Sequence, residues 1–148
     1  FDLDGNLWDI EMGPEGGDEL NRVRRAANYG YPIVSNGDHY DGREIPDHDT
    51  RPEFAQPAIW WTPVVSPGDL MTYRGNLFSD WRGDMFVAGL SSQAIVHIEI
   101  DGDNAREKAR YPMGARIRSL EEGPDGSIWV LEDLRNDSRG RLLKLTPK

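Results

Sequence analysis

The chain has no cysteine, no long apolar run, and fewer basic than acidic residues. The missing cysteine excludes disulfide bonds and thiolate metal sites. No apolar stretch reaches the roughly 18 residues of a membrane-spanning helix. The net charge of −9 argues against nucleic acid as a partner, because phosphate binding needs a basic face. That charge suits a small neutral substrate or a cation, and it also aids solubility by itself.

Targeting signals are missing as well. The 148 residues begin at Phe1 rather than Met, and no signal peptide is visible. We interpret this start as a processed or truncated end, so the missing leader says little about export. Hydrophobic residues are 37% and charged residues 29%, which indicates an ordinary folded protein rather than a disordered one.

Short strand patterns separated by turns dominate the chain, and helix patterns are scarce. The one helix candidate covers residues 19–27, after which glycine and proline stop it. The predicted strands cover residues 84–90, 94–100, 116–122, 127–132 and 141–145.

An internal sequence repeat indicates how the strands are arranged. Residues 4–11 resemble residues 125–132, since both are an Asp-Gly turn entering a strand with an aliphatic-Trp pair. Repeated hairpins of this kind predict an all-β fold of β-propeller blades, with about 40–50 residues per blade. The chain then holds about three blades, too few for a closed ring, and we expect residues 1–148 to be the C-terminal portion of one propeller domain. Residues 33–57 are polar and turn-rich, and we predict an insertion loop on the propeller face.

The loop around residues 11–21 could hold a hard cation. Gly13 and Pro14 can expose backbone carbonyls, and the anions Asp18 and Glu19 are close by. These acids could instead cap the predicted helix that follows.

Two further groups could carry chemistry. Arg116 and Arg118 lie two apart on a predicted strand and could bind a ligand with several carboxylates, or could lie on a solvated face near Glu121 or Glu122. The adjacent Trp60 and Trp61 point to opposite faces, so one could fill a core while the other offers a stacking surface, or both could be packing residues.

Other catalytic signatures do not appear in the sequence. His97 lies inside a predicted strand and is interpreted as structural. His39 and His48 lie in the polar loop, outside any metal or triad spacing. A Gly-rich phosphate loop and a serine nucleophile motif are both missing.

Taken together, these residues resemble the soluble quinoprotein glucose dehydrogenases, and more closely the aldose sugar dehydrogenase branch of the glucose/sorbosone dehydrogenase family. The matching segments follow the family's order across nearly the whole chain. They are residues 13–21, 28–32, 61–68, 116–118 and 123–126.

The resemblance implies a six-bladed propeller that binds pyrroloquinoline quinone (PQQ) and calcium and oxidises the C1 hydroxyl of aldoses to lactones. Electrons would pass to an external acceptor. The protein would be periplasmic or secreted, and it could form a homodimer. Carbonyls of Gly13 and Pro14 would help to hold the cofactor calcium. A second, structural calcium would be held by Glu19 and Tyr29, with Asp41 completing the site.

The resemblance also implies roles in cofactor binding and leaves one role unfilled. Arg116 and Arg118 would bind the anionic PQQ, and Trp61 would line the cofactor and sugar site. No residue matches the family's general-base histidine, so we expect it upstream of Phe1 and expect this portion alone to be inactive. Met12, Tyr31 and Ser91 depart from the family pattern.

Two other functions stay open at this point. A calcium-dependent propeller lactonase or hydrolase would use the metal without a quinone, although it would have no need of Arg116 and Arg118. A non-catalytic propeller that binds sugar or protein would use the calcium loop only as structure.

Overall fold

The protein is built from β-strands, in a computed structural model that describes residues 1–135 and 139–148. Turns and two short 3-10 segments, His48–Thr50 and Ser79–Trp81, connect the strands. No helix among the described residues could span a membrane. The strands are β1 (Trp8–Glu11), β2 (Glu15–Gly16), β3 (Asp18–Arg22), β4 (Gly37–Asp38), β5 (Ile59–Trp61), β6 (Pro67–Thr72), β7 (Met85–Gly89), β8 (Ala94–Asp101), β9 (Asn104–Pro112), β10 (Ile117–Glu122), β11 (Ile128–Glu132) and β12 (Leu142–Leu145).

Three antiparallel sheets stack side by side in chain order. The first sheet has the order β1-β3-β5, the second β6-β7-β8-β9 and the third β10-β11-β12. A small pair, β2-β4, stands beside the first sheet. Within the described residues the sheets do not close into a ring, which fits the expected three blades of an incomplete propeller.

The second sheet is buried on both faces, and this fixes the stacking. Along β7, Met85 and Val87 pack toward the first sheet, whereas Phe86 and Ala88 pack toward the third. Successive side chains of a strand point to opposite faces, so a strand between two sheets is apolar throughout. Every residue of β7 is buried, which explains why its sequence shows no alternation.

The five predicted strands are confirmed, with bounds that differ by a residue or so. The predicted helix over residues 19–27 is wrong, because Asp18–Arg22 forms β3 and pairs with both β1 and β5. The helix-capping interpretation of Asp18 and Glu19 is wrong for the same reason. Pairing on both edges overrides the weak helix preference of this polar segment.

The polar stretch 33–57 is only partly irregular. It contains β4, which pairs with β2, and the 3-10 segment His48–Thr50. His48 is buried there, and its backbone carbonyl accepts a hydrogen bond from the Gln56 amide at 2.7 Å. The stretch therefore packs against the first sheet and forms one wall of the cavity described next.

Candidate functional site

A cavity of about 500 Å³ lies between the first sheet and residues 28–48. Four of the predicted calcium positions line it, two of them expected to ligate through backbone carbonyls. These four are Gly13, Pro14, Glu19 and Tyr29. The other lining residues include Glu11, Met12, Asn28, Tyr31, Ser35, His39, Tyr40 and His48.

The loop between β1 and β2 is held in place by close backbone packing. A Cβ on Gly13 would lie 2.1 Å from the carbonyl oxygen of Gly16 and 2.5 Å from that of Gly17, so no larger residue fits. Buried Asp18 accepts hydrogen bonds from the amides of Gly13 at 2.9 Å and Ser66 at 2.6 Å. Burial raises the pKa of Asp18, although these amide donors oppose the shift. Asp18 thus ties the loop to the segment that follows β5.

Two carboxylates face the cavity from neighbouring strands. Glu11 and Glu19 are directly opposite each other in the β1–β3 register. Burial raises the pKa of Glu19, and His48 and Asn21 oppose that shift. Burial, Asp9 and Glu19 all raise the pKa of Glu11. Like charges at opposite positions of a sheet destabilise it, so this pair favours a bound cation or a proton.

His48 completes this wall of the cavity. Its Nε2 donates to the Tyr29 carbonyl at 2.8 Å, because a carbonyl oxygen can only accept. Its Nδ1 lies 3.5 Å from Glu19 Oε1 and, among the described residues, has no hydrogen-bond partner. Asn21 Oδ1 is likewise buried without a partner there. Sequence reasoning missed His48, and its long separation from Glu19 offered no spacing to find it by.

Asp41 lies outside the residues that line the cavity. Its exposed carboxylate accepts the Arg43 Nε–H at 2.8 Å, and that bond is the main cause of its lowered pKa. In the described ranges, no group of three or more His, Asp or Glu side chains has the geometry of a metal site. Calcium at this cavity would therefore depend largely on backbone oxygens and on Glu11 and Glu19.

The two predicted cofactor arginines converge on one acid, Asp133. Arg116 Nε lies 3.1 Å and Arg118 Nη2 lies 2.9 Å from the same oxygen, Asp133 Oδ2. Burial opposes the ionisation of Asp133, but the two guanidinium groups outweigh it and lower its pKa. The suggested partners Glu121 and Glu122 are not the ones that the arginines contact. Each guanidinium has five N–H donors, so donors remain for an anionic ligand.

The tryptophan pair divides as the alternation predicts. Trp60 is 53% exposed, whereas Trp61 is 7% exposed and packs in the core between the first and second sheets. The Trp61 Nε1–H donates to Glu107 Oε2 at 2.8 Å. Trp61 is not among the residues that line the 500 Å³ cavity.

Comparison with known proteins identifies the relatives of this chain. Residues 1–144 match the family described as Glucose / Sorbosone dehydrogenase. The aldose sugar dehydrogenase YliI of Escherichia coli (strain K12) is 33% identical over 148 residues. That match covers 96% of this chain and 38% of the relative. The chain spans 34% to 38% of the length of the curated relatives it matches.

Solved structures share the fold. The crystal structure of the soluble aldose sugar dehydrogenase from Escherichia coli, in its apo-form, matches with a TM-score of 0.86 and 32% identity. The match covers 98% of this chain and 42% of that one. The PQQ-bound aldose sugar dehydrogenase from Streptomyces coelicolor matches with a TM-score of 0.73 and 24% identity, over 99% of this chain and 41% of its own. The propeller prediction is confirmed by these matches.

Proposed function

The chain belongs to the glucose/sorbosone dehydrogenase family, and on that premise we propose that it is part of an enzyme that oxidises the C1 hydroxyl of aldoses to lactones. The enzyme uses PQQ and calcium and passes the electrons to an external acceptor. It works in the periplasm or outside the cell. The sugar dehydrogenases among the relatives, one of them solved with PQQ bound, support the substrate class and the cofactor.

The opposed carboxylates of Glu11 and Glu19 carry the calcium part of the proposal, at the place expected for the structural calcium rather than the cofactor calcium. Both have raised pKa values and face a cavity that the Gly13 loop also lines. Calcium takes six to eight oxygen ligands, and carboxylate and carbonyl oxygens are the kinds it prefers. A divalent cation would remove the repulsion between the two acids. The residues present therefore fit the ion.

The arginines fit the anionic cofactor. Arg116 and Arg118 converge on Asp133 Oδ2, so their guanidinium groups are already held together. A ligand carboxylate can take the remaining N–H donors in a bidentate pair. Asp133 keeps the two like charges close in the free protein and so preorganises the site.

The chemistry divides between this chain and the rest of the enzyme. When bound, PQQ would supply the hydride acceptor and calcium would supply a Lewis acid. This chain's residues bind and orient these groups. The hydroxyl proton goes to a histidine outside residues 1–148, so this portion alone is inactive.

The test is dye-linked aldose oxidation by the intact parent protein, with and without added PQQ and calcium. We expect activity only when both are added. Lactone hydrolysis without PQQ, or oxidation that PQQ does not stimulate, overturns the proposal.

Binding is measured separately from activity. Glu19→Gln should weaken calcium binding in equilibrium dialysis because it removes a carboxylate from the cavity wall. Glu53→Gln is the matched control, since Glu53 is exposed and pairs with Arg51 away from the cavity. Equal calcium affinity in both variants contradicts the assigned site.

A further inference from the structure

A second concave site lies at the other end of β3 from the Gly13 loop. It is a cavity of about 420 Å³ lined by Arg22, Arg24, Tyr29, residues 55–58 and residues 103–105, and we name it the arginine cleft. Arg22 ends β3, whereas the Gly13 loop precedes that strand. The arginine cleft is therefore separate from the proposed calcium loop, although Tyr29 touches both cavities.

The charges in the arginine cleft are unbalanced. Arg22 Nε lies 3.3 Å from Asp103 Oδ1, and Arg24 Nη2 lies 2.8 Å from Asp103 Oδ2. One carboxylate thus serves two guanidinium groups. In a chain of net charge −9, this concentration of arginine is a local exception.

One donor in the arginine cleft is buried and unsatisfied. Arg22 Nε has no hydrogen-bond partner among the described residues, because its contact with Asp103 lacks hydrogen-bond geometry. A buried donor without an acceptor is costly, and an acceptor that reaches it stabilises the folded state. The side chain therefore favours an additional oxygen ligand.

The backbone below the arginines is fixed. The Tyr29 hydroxyl donates to the Arg22 carbonyl at 2.5 Å and accepts the Arg24 amide at 3.1 Å. Gln56, on the opposite wall, is anchored through its amide to the His48 carbonyl. The backbone that carries the two arginines is therefore held in place, which lowers part of the ordering cost of binding.

We propose that the arginine cleft is a phosphate-binding site, in which Arg22 and Arg24 bind the phosphate and Asp103 occupies their donors when it is absent. Guanidinium forks match phosphate oxygens in bidentate pairs. Asp103 lies in the β8–β9 turn with 56% of its side chain exposed, so it can turn away into water. This site is independent of the proposed sugar oxidation.

The test is titration of the intact parent protein with inorganic phosphate at constant ionic strength, monitored by calorimetry and by amide NMR shifts. We expect saturable binding that Arg24→Gln weakens at least about fivefold, because one charge-assisted pair is lost. Arg106→Gln is the matched control: Arg106 is 67% exposed and pairs with Glu99 on the same hairpin. Its phosphate affinity should equal that of the unaltered chain.

The substitution Asp103→Asn distinguishes a phosphate-binding site from an ion pair that is purely structural. It should tighten phosphate binding at least about threefold, since the competing carboxylate is gone. Unchanged or weaker binding by Asp103→Asn, or equal binding by Arg24→Gln and the unaltered chain, overturns the proposal. Acetate that binds as tightly as phosphate also overturns it.

A hexose phosphate titrated in parallel identifies the source of the phosphate group. Tighter binding than inorganic phosphate indicates a phosphate ester, and weaker binding indicates the free ion.

Discussion

Buried His97 should make the chain less stable in mild acid. It is 1% exposed, its Nε2 donates to Asp84 Oδ2 at 2.6 Å, and its ring stacks on Phe86 with centroids 4.5 Å apart. Burial is the largest influence on the pKa of His97 and lowers it. Asp84 and Glu99 oppose this shift, whereas Lys108 lowers the pKa further. The folded chain therefore keeps the ring neutral at a pH where the unfolded chain binds a proton.

The size of the effect follows from proton linkage. A histidine with a depressed folded pKa contributes stability above its ordinary value of 6.5, and that stability is lost as the pH falls. If the folded ring stays neutral, the loss is about 0.1 kcal/mol at about pH 7.5 and about 1.4 kcal/mol at about pH 5.5. The latter is an upper bound, since any folded-state protonation reduces it.

Urea unfolding of the chain and of His97→Gln at both pH values isolates this contribution. Glutamine can still donate to Asp84 but does not titrate, so subtraction removes the other ionisable groups. We expect the stability advantage of the unaltered chain to shrink by up to about 1.3 kcal/mol between the two pH values. An advantage that grows on acidification would show that the Asp84 attraction exceeds the burial penalty, and it would refute the reasoning.

Three further substitutions test the packing and the proposed site. Gly13→Ala should destabilise the chain by about 2 kcal/mol or more in urea unfolding, because its Cβ would overlap the Gly16 carbonyl at 2.1 Å. Arg118→Gln should weaken PQQ binding by the parent protein at least about tenfold in equilibrium dialysis, since a bidentate charged pair is lost. Its urea midpoint should hardly change, because the Arg118 side chain is 44% exposed. Trp61→Phe should cost about 1 kcal/mol by the same method, through loss of the hydrogen bond to Glu107.

The sequence revealed the strands whose side chains alternate or are wholly apolar. The sequence did not predict β9, which has charged residues on both faces, including the consecutive residues 106–108, and forms the outer edge of the second sheet. It also concealed β3, whose polar residues are buried only because β1, β5 and His48 surround them. The periodicity of apolar residues in a sequence indicates burial against an apolar core. A strand that is buried among polar side chains therefore cannot be predicted from it.

The candidate site shows the same division. Gly13 and Glu19 could be identified because they lie within one short loop and strand. His48 could not, because its contact with Glu19 exists only after the stretch 33–57 folds back onto the first sheet. The spacing of Arg116 and Arg118 predicted only that they share a face. Their shared partner Asp133 lies on the neighbouring chain segment after β11 and was not predicted.

The two Asp-Gly turns show why a repeat predicts backbone better than packing. In the first, Asp2 accepts the Trp8 Nε1–H at 2.9 Å, and Trp8 is buried in the core between the first and second sheets. In the second, Gly123 stands at the position of Asp2, so the corresponding acceptor is missing. Trp129 there is half-buried, with Lys144 Nζ over its ring at 5.4 Å from the centroid. Both turns enter a strand, but Trp8 faces the second sheet, whereas in β11 Ile128 and Val130 face the core and Trp129 lies on the opposite face, where it contacts Lys144.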